Sequence, residues 1–375
     1  MKSKVVIIAC RDYDDGVEEK LRRAVELLGG MESFVRKDER VLVKPNLLRG
    51  SRPERGITTH PAVFGAVLKL LRDAGCGSIS YGDSPAALSE KIDRYTITGL
   101  NGEADKYGAE PGDFTTVVHA SFPQGKVCRE FPVCRAAEDA DAIISVCKMK
   151  THALEIITGA VKNQYGFIAG NNKAVFHAKY PTSGIFAEML ADLNLYLKPR
   201  LYVMDGIIAL EGNGPGEGGD PTPMKLMLVS SDPVAMDTLF ARLVYLDPKN
   251  VPTNVYGAKA GLGTMDEAEI ELMTVDGTEL TMDEAVKRFG NPDFNVKRTR
   301  SRFWNMRGML GALHQERPVV DLNKCIGCGI CEQACPVEGK AVHSGNGNKA
   351  KYDYKKCIRC YCCQEMCPAR AITKR

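Results

Sequence analysis

The sequence predicts a layered α/β domain with a mostly parallel sheet, followed by a small α+β module. Strand-like runs alternate with helical patterns through most of the chain, which is typical of α/β layers. Nine of the fourteen cysteines lie beyond residue 324, so a separate cysteine-rich module ends the chain of 375 residues. We place the α/β domain at residues 1–290, a basic linker or helix at 291–318, and the cysteine-rich module at 319–375.

Short β-branched and apolar runs mark the predicted strands. They are Val41 to Val43, Ser78 to Tyr81, Ala142 to Val146, Leu201 to Met204 and Lys225 to Val229. The clearest helix runs from Pro61 to Ala74, with Thr59 as the expected cap and Gly75 at its end. Residues 15–28 and 234–245 have similar helical patterns.

Polar side chains follow the carboxyl ends of these strands, where open α/β sheets place their ligands. They are Lys44 and Asn46, then Asp83, then Lys148, Lys150 and His152, and finally Asp205. Lys162 and Asn163 join them, with Glu211, Asn213, Asp232 and Asp237 as further candidates. His177 is a second histidine suited to proton transfer.

This group of residues predicts a ligand site, although each residue alone has a simpler explanation. Asp83 and Asp232 lie next to prolines, where turns and helix caps use aspartate, and single lysines are usually surface charges. Several lysines with a histidine and carboxylates at one sheet edge are typical of an anion clamp, or of a hard-metal site with a bound acid. We assign catalytic roles to Lys148, Lys150, His152, Lys162, Asp83 and Asp205, and ligand binding to Lys44, Asn46 and Asn163.

A glycine-rich segment, residues 211–219, formally matches the Gly-x-Gly-x-x-Gly dinucleotide fingerprint. A strand-like run, MKLMLV, follows it where the fingerprint requires a helix. We therefore interpret the segment as a mobile loop that closes over a ligand.

Two cysteine runs repeat the spacing Cys-x2-Cys-x2-Cys-x3-Cys-Pro, and each cysteine of the second run lies 32 positions after its counterpart. In two-cluster bacterial ferredoxins, the fourth cysteine of each run binds the cluster of the other run. The pattern predicts two [4Fe–4S] clusters, one on Cys325, Cys328, Cys331 and Cys367, and the other on Cys357, Cys360, Cys363 and Cys335. Cys362 is left over. Structural zinc sites usually have two distant cysteine pairs, which makes zinc the weaker alternative.

The rest of the sequence excludes several classes of protein. Lys and Arg number 50 against 47 Asp and Glu, so the net charge gives no general attraction to nucleic acid. No run is apolar enough to span a membrane, and the first residues lack the pattern of a signal peptide, so we expect a cytoplasmic protein.

Five further cysteines are scattered through the α/β domain and are expected to be buried, where they act as small hydrophobic side chains. They are Cys10, Cys76, Cys128, Cys134 and Cys147. Residues 297–318 carry Lys297, Arg298, Arg300, Arg302 and Arg307 next to Trp304, which indicates a linker helix more than a nucleic-acid or membrane surface.

Together, the segments VLVKPNLL, YGDSP, KMKTHALEIITGAVKNQYG, MDGIIALEGNGP and SSDPVAMD, followed by the double cysteine run, resemble the "domain of unknown function 362" family in its ferredoxin-fused form. The resemblance covers roughly residues 40–245 and the module after 318. It implies an iron–sulfur protein, and it brings no activity for the front domain.

Three hypotheses follow from these observations. The first is a redox protein whose ferredoxin module passes electrons to or from a small anionic ligand at the sheet edge. The second is a non-catalytic electron carrier or maturation factor that docks a redox partner protein. The third, a nucleic-acid binder, depends only on the basic segment and is not expected. The oligomeric state stays open.

Overall fold

A computed structural model describes residues 2–84, 93–170, 172–296 and 316–375. Most of the basic segment, residues 297–315 with Trp304, lies outside the described residues. Sixteen strands in this part of the chain are β1 Ser3–Ala9, β2 Arg40–Pro45, β3 Ser78–Tyr81, β4 Glu110–Pro111, β5 Val117–Ser121, β6 Glu130–Cys134, β7 Ala142–His152, β8 Ile156–Thr158, β9 Leu201–Gly212, β10 Gly219–Ser230, β11 Ile270–Thr274, β12 Glu279–Leu280, β13 Pro318–Val320, β14 Val342–Gly345, β15 Asn348–Tyr352 and β16 Ile372–Lys374.

Thirteen α-helices accompany the strands in the described ranges. They are α1 Val17–Glu26, α2 Pro61–Asp73, α3 Arg94–Ile97, α4 Leu100–Lys106, α5 Arg135–Asp139, α6 Ala160–Asn163, α7 Asn172–Lys179, α8 Ser183–Leu197, α9 Pro233–Leu243, α10 Pro252–Lys259, α11 Met282–Phe289, α12 Ile330–Gln333 and α13 Cys362–Glu365.

A ten-stranded mixed sheet forms the centre of the α/β domain, in the order β12-β11-β1-β10-β9-β7-β2-β3-β4, with β8 paired to β7. Strands β9, β7, β2, β3 and β4 run parallel to one another, and β10 runs antiparallel to both β1 and β9. The carboxyl ends of β7, β2 and β3 therefore meet at one edge, as the sequence predicts. The expected α/β architecture with a mostly parallel sheet is confirmed.

Helices cover both faces of the sheet because successive side chains of a strand point to opposite faces. In β1, Val6 and Ile8 pack into the core under α1 and α2, whereas Val5 and Ile7 pack into the core under α9. All eleven residues of β7 are buried. This burial on both faces explains why the central strands are continuous apolar runs rather than alternating ones.

The predicted helices are present, with one correction at an N-terminus. Helix α2 begins at Pro61, but His60 caps it by accepting a hydrogen bond from the Ala62 N–H at 3.2 Å. Thr59 is not the cap, because its hydroxyl donates to the carbonyl of Val146 at 2.7 Å. The side chain of Thr59 therefore ties the helix start to β7, and the neighbouring imidazole takes over the capping role.

The small C-terminal domain consists of two short strand pairs, β13 with β16 and β14 with β15, together with α12 and α13. Its core is built largely from cysteines, with Val342, Ala371 and Ile372 between them. The five cysteines of the α/β domain are buried, as expected. Within the described residues, no helix is both long and apolar enough to cross a membrane.

Candidate functional site

The two modules contact each other through the glycine-rich segment between β9 and β10. Gln364 donates to the carbonyls of Asn213 at 2.7 Å and Gly214 at 3.2 Å, and Asn213 donates to Ile372 O at 2.9 Å. A Cβ on Gly216 would collide with the carbonyl of Glu365, so the close approach requires glycine here. The glycine-rich segment thus forms the surface on which the cysteine module packs.

A cavity of about 100 Å³ lies between this glycine-rich segment and the sheet edge. Both modules contribute to its wall. The α/β domain supplies Lys44, Asn46, Asp83, Lys150, Lys162, Asn163, Lys173 and His177, and the cysteine module supplies Ala334, Cys362, Glu365 and Met366. The glycine segment adds Pro215. This volume accommodates several water molecules or a small ligand.

Lys44 and Asp83 form a buried ion pair at one side of the cavity. Lys44 Nζ lies 2.9 Å from Asp83 Oδ2 and donates to Asn163 Oδ1 at 3.0 Å, and Asp83 Oδ2 also accepts from the Leu47 N–H at 2.8 Å. Burial lowers the pKa of Lys44, and the charge of Asp83 opposes this shift. The second oxygen, Asp83 Oδ1, is buried without a hydrogen-bond partner among the described residues.

Gly166 permits this pair to form. Any Cβ at this position would collide with Asp83 Oδ1 and with Nζ of Lys44. Asn163 extends the network, because its amide donates to Ser145 Oγ at 2.9 Å while its oxygen accepts from Lys44. The short α6 helix that carries Asn163 is in turn fixed by Asp237, which accepts from the N–H groups of Ala160 and Val161.

Two lysines of the cavity have no carboxylate within ion-pair distance among the described residues. Lys150 Nζ donates to Asn46 Oδ1 at 2.7 Å and to the carbonyl of Ile57 at 2.9 Å. Burial, with a contribution from the charge of Lys162, lowers the pKa of Lys150 to about 7. Lys162 is half-buried over the ring of Tyr165. These ammonium groups give the cavity a positive potential that suits an anion.

His152 connects strand β7 to the cysteine module. Its Nδ1 accepts from the N–H groups of Leu154 and Glu155 at 3.1 and 3.0 Å, so the ring proton resides on Nε2. That nitrogen lies 2.9 Å from Oε1 of Glu365. Burial lowers the pKa of His152 to about 4, which leaves the ring neutral near pH 7. Both ring nitrogens are engaged in positioning contacts.

Lys148 and Asp205 do not line the cavity. Lys148 Nζ lies 2.6 Å from Asp205 Oδ2 and 2.9 Å from the hydroxyl of Tyr13, whose ring stacks on His60 at 3.5 Å. Asp205 also accepts from the N–H of His60 at 3.0 Å. This is a self-contained buried network beside the cavity, with its charges already paired.

The strand ends also differ from the expectation, because Lys148, Lys150 and His152 lie inside β7 and Asp205 lies inside β9. Pairing with β8 and β9 carries β7 on to His152. Of the further candidates, Asp232 caps α9 by accepting from Val234 and Ala235, and Glu211 accepts from Asn295. Asp232, Asp237 and Glu211 thus have structural contacts away from the cavity.

Lys173, Glu365 and Tyr165 are cavity residues that sequence reasoning missed. Glu365 had a usable signal, because it is an acidic side chain between Cys363 and Cys367 in a segment expected to face clusters. Lys173 is on α7, with no strand end before it, and Nζ reaches the carbonyl of Ser84 at 2.6 Å only through the fold. His177 lies on the same helix, stacked on Phe186 at 4.6 Å, and burial lowers its pKa to about 3.

The cysteine module provides the backbone donors that cluster thiolates need. The N–H groups of Ala350, Ala341 and Ala371 point to the sulfurs of Cys325 at 3.4 Å, Cys335 at 3.3 Å and Cys367 at 3.3 Å. A hydroxyl, that of Tyr352, adds a hydrogen bond to Cys363 Sγ at 3.2 Å. These contacts fit an iron–sulfur group bound to the cysteines.

The two runs also approach each other crosswise. Burial raises the pKa of Cys331, and the charges of Cys328 and Cys367 add to the rise. Burial likewise raises the pKa of Cys357, with contributions from Cys360 and Cys335. Each run thus places its first cysteines near the fourth cysteine of the other. Across the described ranges, no three His, Cys, Asp or Glu side chains are arranged to hold a single metal ion.

A family model described as "Domain of unknown function (DUF362)" matches residues 41–242, more than half of the chain. The chain belongs to this family. A second model, described as a 4Fe-4S dicluster domain, matches residues 317–368. This member of the domain of unknown function family therefore combines the sheet-edge cavity with a ferredoxin-like iron–sulfur module, and iron–sulfur electron transfer is its general function.

The family member is 34% identical over 292 residues to a curated thylakoid-associated protein of Synechocystis sp., covering 76% of this chain and 87% of that protein. Among solved structures, the lactate racemase apoprotein from Thermoanaerobacterium thermosaccharolyticum matches with a TM-score of 0.39, 9% identity, and coverage of 62% of this chain and 55% of that one. A structural-genomics protein from Thermotoga maritima matches with a TM-score of 0.36, 14% identity, and coverage of 67% and 59%. The chain thus spans less than two thirds of either solved structure.

Proposed function

We propose that this protein is an iron–sulfur oxidoreductase that exchanges electrons with a small anion bound between the α/β domain and the cysteine module. The observation that carries the proposal is the position of Lys150 and Lys162. Both line a cavity that Cys362 and Ala334 close from the cysteine side, and neither has a carboxylate partner among the described residues. A cationic cavity walled by cluster-binding loops suits a redox-active anion.

The cofactor of this proposal is a pair of [4Fe–4S] clusters, one on Cys325, Cys328, Cys331 and Cys367 and one on Cys357, Cys360, Cys363 and Cys335. Clusters of this type supply one-electron transfer. The backbone N–H groups that point to Cys325, Cys335 and Cys367 would stabilise the thiolate charge. The chain itself binds and orients the anion and excludes water.

Lys150 and Lys162 would hold the charge of the anion, and Lys44 would keep the charge of Asp83 paired beside them. Lys150 is suited to deliver a proton, because its pKa of about 7 lies near neutral pH. In the reducing direction, a one-electron donor protein would supply electrons one at a time through the clusters and become oxidised, and the bound anion would be reduced. Lys150 would give the anion a proton, and solvent would reprotonate Lys150. His152 and Glu365 would fix the cluster module against the cavity.

The size of the cavity limits the ligand to small anions, such as short carboxylates and inorganic oxyanions.

We further propose that the protein works in the cytoplasm. The thylakoid association in the name of the Synechocystis relative describes that protein, and attachment of this chain to a membrane surface is the competing location. Fractionation of cells at low and high salt would separate the two locations.

Anaerobic purification followed by unfolding and analysis of the released material tests this function. We expect about eight irons per chain and a stoichiometric small anion detected by mass spectrometry, with the anion lost in a Lys150→Ala, Lys162→Ala variant that keeps its iron. Release of iron and sulfide alone would overturn the proposal. It would favour the second candidate, a carrier or maturation factor that docks a protein partner.

The ligand assignment has its own test in two neighbouring residues. Cys362→Ser should keep the full iron content, whereas Cys363→Ser should lose the iron of one cluster. The two substitutions are chemically identical and one position apart, so each serves as the control for the other. Four irons in the wild-type protein, or loss of iron from Cys362→Ser, would contradict the two-cluster assignment.

A further inference from the structure

The two cysteine groups differ in their distance from solvent. In the first group Cys328 is exposed, Cys325 is half-buried, and Cys331 and Cys367 are buried, whereas in the second group Cys357 is half-buried and the other three are buried. The second group reaches the cavity wall through two neighbours of its cysteines, Cys362 and Ala334, and the first group through one, Met366 beside Cys367. The first group is thus the one with an exposed cysteine, Cys328.

The loop around the exposed cysteines carries an unusual amount of apolar surface. Ile326 is 64% exposed, the highest value among the large hydrophobic residues of the described chain, and Leu322 is 51% exposed. Both belong to the segment that contains Cys325 and Cys328. Exposed apolar side chains beside a redox group are typical of a surface that a partner covers.

Lysines surround this apolar pair. Ala350 points its N–H to the sulfur of Cys325, so its exposed neighbours Lys349 and Lys351 flank the same cysteine on the solvent side. Lys349 also donates to the carbonyl of Leu322 at 2.6 Å, which holds the loop against strand β15. The exposed Lys324 lies between Leu322 and Ile326 in the sequence, and its Nζ is 4.0 Å from Oδ2 of Asp321. We call Leu322, Lys324, Ile326, Lys349 and Lys351 the entry face.

The ionisable side chains of the module carry an excess of positive charge, which bound clusters would partly offset. Residues 316–375 contain eleven Lys and Arg against six Asp and Glu, although the full chain is nearly balanced. Opposite charges accelerate the encounter of two proteins and fix their orientation. A basic rim around an apolar centre therefore selects an acidic partner that presents its own redox group close to its surface.

We propose that the entry face is the docking site for an acidic one-electron carrier protein. One electron leaves the carrier and enters the chain at the exposed cysteine group, and the carrier is oxidised as the chain is reduced. The inference rests on the proposed function only for the presence of clusters, and it does not require a ligand in the cavity.

Reduced flavodoxin, an acidic one-electron carrier, is the probe for this docking site. Two readouts are measured anaerobically on the cluster-loaded chain: the Kd of flavodoxin by calorimetry, and the rate of cluster reduction by stopped-flow absorbance. We expect both binding and rate to weaken as salt rises, because screening reduces the attraction. Lys324→Glu with Lys351→Glu should lower the affinity and the rate roughly 10- to 100-fold.

The control pair is Lys259→Glu with Lys287→Glu, which changes the charge equally on α10 and α11 of the α/β domain and should have little effect. Ile326→Ser removes the apolar centre from a largely exposed position and should also weaken binding. Dithionite should reduce all variants at the wild-type rate, because a small reductant needs no docking site.

Three results would overturn the inference: an unchanged Kd in the Lys324→Glu, Lys351→Glu variant, an equal loss in the control pair, or wild-type binding that does not depend on salt. The test is separate from that of the proposed function. Lys150→Ala with Lys162→Ala should bind flavodoxin normally, so the docking site stands even if no anion is released from the cavity.

Discussion

Nε2 of His152 lies 2.9 Å from Oε1 of Glu365, so the central strand β7 contacts α13, the short helix that carries the predicted cluster ligand Cys363. The two residues are more than two hundred positions apart in the chain. Because Nδ1 accepts two backbone N–H groups, the ring proton resides on Nε2, the nitrogen next to Glu365. Burial alone would raise the pKa of Glu365, but the contact with His152 and the charge of Lys162 lower it to about 2.

This contact should couple the two modules energetically. Alanine at either His152 or Glu365 leaves the other polar group buried and unpaired, so the double variant should cost less than the sum of the two single variants. We expect a coupling energy of about 1 to 3 kcal/mol. A double-mutant cycle measures this coupling energy. In each variant, hydrogen exchange of the backbone amides in the glycine-rich segment reports the free energy of local opening. A coupling below about 0.5 kcal/mol would show that the contact does not hold the modules together.

Lys162 and Lys148 should behave differently on substitution, although the sequence pattern predicts the same catalytic role for both. Lys162→Ala should weaken binding of small oxyanion probes, such as acetate, sulfite and bicarbonate, roughly 10- to 100-fold, because a charge-assisted hydrogen bond contributes about 1.5 to 3 kcal/mol. Lys148→Met should leave anion affinity nearly unchanged but destabilise the fold by about 3 to 5 kcal/mol, since Asp205 becomes a buried unpaired charge. Calorimetry and denaturant titration measure the two effects, and the reverse pattern would refute the assignment.

Gly166→Ala should disrupt the cavity, whose wall Gly166 helps to form. The new methyl group would collide with Asp83 Oδ1 and Lys44 Nζ, so the ion pair must move or break. We expect a loss of stability of about 1 to 3 kcal/mol from this overpacking and a marked loss of anion binding. Gly102→Ala is the matched control: it lies in α4 with nothing within 4 Å of the new methyl, and it should be neutral or slightly stabilising. Equal effects of the two variants would contradict the prediction.

Anion binding should weaken as the pH rises through 7. Burial lowers the pKa of Lys150 to about 7, so this ammonium group is fully charged at pH 6 and loses its proton above pH 7. An anion binds the charged form, and its Kd should therefore rise about tenfold per pH unit above that point. Lys173 contributes a second, higher transition, because burial lowers its pKa to about 8. Titration of the oxyanion probes between pH 6 and 9 should show the first transition in the wild type, and Lys150→Gln should remove it.

Local patterns predicted the elements of this fold well where one residue decides the outcome. Pro61 marks the start of α2, and Gly75, with a φ of +84°, ends the helix where the sequence places the stop. The full length of β7 was not predictable, because its second half combines lysines and a histidine that are not typical of a strand. Pairing with β8 and β9 stabilises that extension. Strand β8 has only three residues, and β9 begins about fifty positions after the end of β7, so neither pairing is evident from the sequence.

The candidate site was predicted in part. Lys44, Asp83, Lys150 and Asn163 converge as expected, because parallel strands end at one edge of the sheet. The pairing of Lys148 with Asp205 and Tyr13 separates those residues from the cavity, and no spacing along the chain shows which lysine finds a carboxylate. Charge patterns identify ionisable groups, but their partners depend on how distant strands pack.

The sequence by itself determined the α/β architecture, the ferredoxin-like module and the approximate edge of the sheet that bears the polar residues. These depend on hydrophobic periodicity, glycine and proline positions and cysteine spacing, all of which act over a few residues or one repeat. Only the tertiary structure decided that the cysteine module sits on the glycine segment, closes the cavity and contributes Cys362 and Glu365 to it. That arrangement depends on burial and side-chain contacts between residues more than a hundred positions apart, which local chemistry cannot specify.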